Sequence, residues 1–67
     1  MEPTTLETEL SQLQYGETVE ITLTGEEDMG VLCERLVSRV TLIFGIVLVI
    51  EVADAETRRA KASRISK

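Results

Sequence analysis

Residues 17–24 carry the clearest pattern in the chain, a strict alternation of apolar and polar side chains. The apolar positions are Val19, Ile21 and Leu23, and the positions between them hold threonine or glutamate. Alternation with a period of two is typical of a strand whose sheet is buried on one face and exposed on the other. Gly25 and the three acidic residues that follow it predict a solvent-exposed turn.

A short helix is predicted before this strand, over residues 4–14. Thr4 and Glu7 have the spacing of a capping box, in which the two side chains satisfy free amide groups of the first helical turn. Three leucines then share one apolar face: Leu6, Leu10 and Leu13. A helix of this length is marginal in isolation, so we expect it to dock against the rest of the domain.

Residues 29–39 fit two interpretations. Apolar residues recur at helical spacing with polar and charged residues opposite them, and this local pattern favours an amphipathic helix. Gly30 would then lie in the first helical turn, where glycine is unfavourable. As a strand, the same residues alternate less regularly, so both interpretations stay open.

Residues 40–53 are strongly apolar and predict a long strand, which Gly45 would bend or interrupt with a bulge. Since both faces of this strand are apolar, we expect it at the centre of a sheet or at a contact between subunits. Its uncharged part is much shorter than the ~20 residues of a membrane-spanning helix, so we expect no membrane insertion. Residues 57–65 fit either a helix or a basic edge strand.

The size of the chain limits its organisation and its stability. The 67 residues make one small domain, 1–67, with a helix at 4–14, a core at 17–53 and a basic tail at 58–67. A single cysteine excludes an internal disulfide, and the absence of histidine argues against a structural zinc site. Small domains without such cross-links often complete their core by oligomerising, so we expect a homo-oligomer.

The net charge of −5 argues against nucleic-acid binding by the chain as a whole, but the charge is unevenly distributed. The tail contains five basic residues and no acidic one. The candidate contacts to RNA or another anion are therefore Arg58, Arg59, Lys61, Arg64 and Lys67. Alternatively, they form a solvated terminus or pair with the acidic surface of a neighbouring subunit. Arginine exceeds lysine by five to two, a usage similar to that of halophilic archaeal proteins.

Residue types needed for catalysis are scarce. The absence of histidine removes the commonest proton-transfer group, and Cys33 lies among apolar residues, where a structural role is favoured. The acidic residues 26–28 lack the spacing of a calcium loop, and the glycines form no phosphate-binding motif. We therefore expect no enzyme activity, no cofactor, no metal site and no small-molecule substrate. With no secretion signal apparent, the expected location is the cytoplasm.

The order of apolar residues and glycines from residue 10 to residue 32 resembles the first half of an Sm-like domain. The matching positions are Leu10, Leu13, Gly16, Val19, Ile21, Leu23, Gly25, Gly30 and Leu32. This resemblance implies a short N-terminal helix followed by a bent, five-stranded barrel. The aspartate and asparagine of the family's RNA-binding loop have no counterpart, since residues 36–39 are Leu-Val-Ser-Arg and the chain contains no asparagine.

Two folds and two functions follow from these patterns. The first fold is mainly β, an N-terminal helix followed by a small Sm-like or SH3-like barrel. It implies a non-catalytic interaction module, an oligomer that contacts RNA or another anionic partner. The alternative is an α/β order of helix, strand, helix, strand and helix that dimerises through the strand 40–53. It implies a structural or assembly protein that binds only other proteins.

Overall fold

The computed structural model describes residues 2–66, in which helices and strands follow the order α-β-α-β-β. The five elements are α1 (Thr5–Ser11), β1 (Thr18–Thr22), α2 (Met29–Phe44), β2 (Leu48–Asp54) and β3 (Arg59–Arg64). The strands form an antiparallel sheet in the order β1-β3-β2, so the last strand in sequence lies in the centre. β1 and β2 are therefore the two edges of this sheet.

The first helix and the first strand confirm their sequence predictions. The backbone N–H of Thr4 donates to Glu7 Oε1 at 2.8 Å, and the backbone N–H of Glu7 donates to Thr4 Oγ1 at 3.2 Å. This is the predicted capping box, although the helix is shorter than residues 4–14. In β1 the alternation also holds, since Ile21 is buried while Glu20 is exposed.

The helix α2 begins and ends at residues suited to these positions. The Asp28 carboxylate caps it by accepting hydrogen bonds from the backbone N–H of Gly30 at 3.0 Å and of Val31 at 3.3 Å. Gly45 ends it with a φ of +74°, a left-handed conformation that glycine adopts without strain. The buried face of the helix consists of Met29, Cys33, Leu36 and Val40. The helical interpretation of residues 29–39 is thus confirmed.

The prediction of a mainly β barrel is wrong. The described residues form an open three-stranded sheet and two helices, which is an α+β fold. The long strand predicted over 40–53 is wrong in its first half, because residues 40–44 continue α2. Val40 and Phe44 extend the apolar face of the helix by one more turn, and β2 starts only at Leu48, beyond the helix-ending glycine.

The alternative α/β order is wrong in its last element. It places a helix over residues 57–65, whereas β3 occupies this segment as the central strand. The segment has the alternating burial of a strand, but its buried positions hold small residues. Ala60 and Ala62 are fully buried, and Lys61 between them is exposed. Alanine has a high helical propensity, but here its pairing with two neighbouring strands outweighs that local preference.

The hydrophobic core lies between the sheet and the two helices. Leu10 of α1 and Val40 of α2 are its largest completely buried side chains. On the sheet, Ala62 is paired with Val19 of β1 and with Ile50 of β2, so branched side chains flank the small central residue. Within residues 2–66, neither helix combines the length and the apolar content that crossing a bilayer requires.

Candidate interaction surface

The free edge of β2 exposes apolar side chains on both faces of the sheet. Val49 is 43% exposed on the outer face, and Val52 is 45% exposed on the face that carries the helices. Val47, directly before the strand, is 40% exposed. We call these three side chains, together with the free edge of β2 that they adjoin, the β2 edge surface.

The backbone of β2 also offers hydrogen-bonding groups along this edge. The N–H of Ile65 donates to the carbonyl oxygen of Val47 at 3.0 Å. Val47 is therefore one of the residues whose backbone groups point toward β3. In an antiparallel ladder only every second residue bonds to a given neighbour. The N–H and C=O groups of the intervening residues therefore point away from β3. These residues are Leu48, Ile50 and Val52.

The other edge of the sheet, β1, is different. Its apolar side chains are covered, since Ile21 is buried and Val19 packs partly buried against the core. Its exposed side chains are all polar: Thr18, Glu20 and Thr22. Natural proteins commonly protect edge strands with polar and charged side chains, and β1 follows this rule more closely than β2.

The charged residues of β2 lie beside basic residues of the neighbouring strand. Glu51 is paired in register with Lys61, and the Asp54 carboxylate lies 3.9 Å from the guanidinium of Arg59. A register shift between Val52 and Asp54 interrupts the ladder at the end of the strand. The regular part of the edge, residues 48–52, is therefore mostly apolar and locally balanced in charge.

A second site joins the two helices through a buried carboxylate. The Arg39 guanidinium of α2 forms a salt bridge with Glu7 of α1, with Nη2 at 3.1 Å from Oε1, and it also donates to the Glu2 carbonyl oxygen. Glu7 is 3% exposed and also caps its own helix through Thr4. The hydrogen bond from Arg39 lowers the pKa of Glu7, and this effect outweighs burial, which acts in the opposite direction.

We expect stability to depend on pH through Glu7. Because its folded-state pKa lies below the ordinary value of 4.5, its contribution to stability is present above that value and is lost as pH falls through the lower folded pKa. Glu7→Gln should therefore lower the urea midpoint at about pH 7, and its effect should shrink progressively as pH falls below 4.5. The control is Glu9→Gln, an exposed glutamate on the same helix. Equal effects of the two substitutions at every pH in this series would contradict this role of Glu7.

A small cleft lies next to this salt bridge. It has a volume of about 160 Å³ and is open to solvent, and its lining includes four leucines: Leu6, Leu23, Leu32 and Leu36. The two arginines in its lining already bind carboxylates, Arg39 that of Glu7 and Arg35 that of Glu27 at 2.7 Å. The lining of the cleft thus combines apolar side chains with arginines that are paired with carboxylates.

Two of the predicted anion contacts bind backbone carbonyl oxygens of the chain itself. Arg58 has a positive φ of 57° and donates to the carbonyls of Leu23 at 3.3 Å and Glu27 at 2.7 Å. Arg64 donates from Nη1 to the Leu13 carbonyl at 2.8 Å. These bonds tie the end of β1 and the segment after α1 to β3, so both arginines have structural roles.

The remaining predicted contacts do not extend these two into one basic patch. Arg59 and Lys61 point to the outer face of the sheet, where Arg59 binds Glu20 at 3.5 Å and lies near Asp54. Lys61 is paired in register with Glu20 on one side and Glu51 on the other. Lys67 lies outside the described residues. The predicted contacts that the structure describes therefore form no single patch, and Arg59 and Lys61 lie beside acidic side chains.

Cys33 and the acidic groups show no arrangement suited to metal binding or nucleophilic chemistry. Cys33 is buried in α2, and burial, together with the negative charge of Asp28, raises the pKa of its thiol. Across residues 2–66, no three acidic, cysteine or histidine side chains come together as metal ligands would.

Comparison with known proteins adds no family to this picture. No family model matches the chain, and neither a curated protein nor a solved structure matches it. The β2 edge surface and the Glu7–Arg39 pair were not predicted as sites from the sequence. The only sequence signal for the edge was the apolar character of both faces over residues 40–53, which indicated a sheet centre or a subunit contact.

Proposed function

We propose that this chain is a non-catalytic interaction module that self-associates through the β2 edge surface. The observation that carries the proposal is the exposure of Val49 and Val52 beside a free strand edge. Addition of a strand to such an edge is a general mode of protein recognition, in which backbone hydrogen bonds supply affinity and alternate side chains supply specificity. The expected cytoplasmic location is part of this proposal.

The small size of the domain supports self-association. A chain of 67 residues buries only ~60% of its unfolded surface, so a subunit contact that covers more apolar surface adds stability. The same argument favours a partner that offers a strand rather than a charged ligand. The basic residues give an anionic partner no comparable support, because the side chains of Arg58, Arg59 and Arg64 already bind carbonyl or carboxylate oxygens. We therefore do not extend the proposal to RNA.

Size-exclusion chromatography with light scattering tests this proposal on the purified chain. We expect a mass above that of one chain at micromolar concentration, and a decrease toward the monomer on dilution. A charge placed at the β2 edge, as in Val52→Glu, should shift the equilibrium to the monomer. A monomer at all concentrations, or an oligomer that is insensitive to this substitution, would contradict the proposal.

A further inference from the structure

We infer that the partner of β2 is β2 of a second copy, paired antiparallel about a two-fold axis at Ile50 to give a closed dimer. The two three-stranded sheets would then form one continuous six-stranded sheet in the order β1-β3-β2-β2-β3-β1. This inference rests on the proposed function, because it names the partner and the register at the same edge.

The sequence of the edge is self-complementary about Ile50. The residues whose backbone groups point outward are Leu48, Ile50 and Val52, and all three side chains lie on the helix-bearing face. A two-fold axis at Ile50 places Ile50 opposite Ile50 and Leu48 opposite Val52. Every one of these opposed pairs is apolar and is also a hydrogen-bonded pair of the new ladder. An isologous interface requires this kind of self-complementary surface.

Strand length and electrostatics select this register over its two neighbours. An axis at Val49 would pair only residues 48–50 within the two strands, because Val52 would lie opposite residue 46, which precedes β2. Residues directly opposite each other in an antiparallel pair have their side chains on the same face of the sheet. The two-fold axis must therefore pass between two copies of the same residue. An axis at Glu51 would place the two Glu51 carboxylates directly opposite each other, and like charges in such pairs are destabilising. An axis at Ile50 instead places Glu51 opposite Val49, while Lys61 of its own chain stays beside it. The outer face of the dimer then contains no directly opposed like charges at the junction.

The difference between the two edges predicts a dimer rather than a filament. If β2 paired with β1 of the next copy, the contact would be heterologous and would continue from chain to chain. The exposed side chains of β1 are Thr18, Glu20 and Thr22, which offer no apolar counterpart to Val49 or Val52. Pairing of β2 with β2 uses the apolar edge of each copy and leaves the polar edges at the two ends of the sheet.

Disulfide cross-linking between single-cysteine variants tests the register. In a background of Cys33→Ala, we would mix Val49→Cys and Glu51→Cys chains under mild oxidation and identify cross-linked species by mass spectrometry. The inferred register opposes residue 49 of one copy to residue 51 of the other, at a Cα separation of about 4.5–5.5 Å, within the range that a disulfide spans. Residues 51 and 51, or 49 and 49, would be diagonal neighbours at about 7–8 Å.

The expected result is a cross-link between the two different variants, with at least tenfold less cross-linking when Val49→Cys, which keeps Glu51, is oxidised alone. Cooperative urea unfolding of each variant would verify that it is folded. Efficient cross-linking of Val49→Cys with itself would overturn the register but leave association through the β2 edge intact. If Val52→Glu dissociates the dimer but no cross-link is preferred, the register would likewise be overturned and association through the β2 edge would stand. Absence of any dimer in light scattering would instead overturn the proposed function.

Discussion

Replacement of Leu10 with alanine should remove a large share of the protein's stability. Leu10 is 1% exposed and is one of the two largest completely buried side chains, so its removal loses apolar contacts and leaves a cavity. Leucine-to-alanine substitutions in cores cost about 2.7–5 kcal/mol. A domain of this length is expected to have a total stability of only about 3–10 kcal/mol, at ~0.05–0.15 kcal/mol per residue. We expect a large decrease in the urea midpoint or loss of the cooperative transition by circular dichroism.

Of the elements of the fold, α1 should be the one whose packing against the domain is weakened most by Leu10→Ala. This helix has seven residues, too few to be stable alone, so its structure depends on docking through its buried leucine. Leu42→Ala is the matched control, since Leu42 lies in α2 and is 73% exposed. Its effect should be within about 0.5 kcal/mol, as is usual for surface substitutions. Equal effects of the two substitutions would contradict the position of Leu10 in the core.

Replacement of Val52 with glutamate should convert the associated protein to a monomer. Val52 lies on the helix-bearing face at the free edge, where a second copy would place Leu48 opposite it. A carboxylate at this position would be desolvated beside apolar side chains without a basic partner, which is costly. We expect the dissociation constant to rise at least tenfold, equivalent to about 1.4 kcal/mol, as measured by light scattering over a dilution series.

The control for this substitution is Val31→Glu. Val31 is 46% exposed, nearly the same as Val52, but it lies near the start of α2 and outside the β2 edge surface. It adds the same charge to the chain, so any general effect of net charge appears in both variants. A similar rise in the dissociation constant for both would indicate repulsion between acidic chains and would contradict an interface at β2.

Local elements were predictable from the sequence where short-range patterns determine them. The capping box of Thr4 and Glu7, the alternation in β1 and the helical spacing that begins at Met29 all involve residues within a few positions of one another. The end of α2 was not predicted, because Val40 and Phe44 fit an apolar strand as well as an apolar helix face. Their packing in the core, rather than propensity, extends the helix to Gly45.

The order of strands could not be predicted, because it depends on contacts between distant residues. β3 inserts between β1 and β2, and this placement makes β2 an edge although its two faces are apolar. The Glu7–Arg39 pair likewise joins positions 32 residues apart, without a local signal. The same insertion gives Arg59 and Lys61 of β3 acidic neighbours on both adjacent strands. The predicted contact between subunits at residues 40–53 remains a prediction, now restricted to residues 48–52.

Hydrogen exchange measured residue by residue by NMR tests the central proposal most directly. Association through β2 would bury the outward-pointing amides of Leu48, Ile50 and Val52, while the equivalent amides of Thr18, Glu20 and Thr22 on β1 would stay in solvent. We predict that exchange at the three β2 amides slows as protein concentration rises and that exchange at the three β1 amides does not. Concentration-independent exchange at the β2 amides, in a sample that is shown to associate, would contradict the proposed interface.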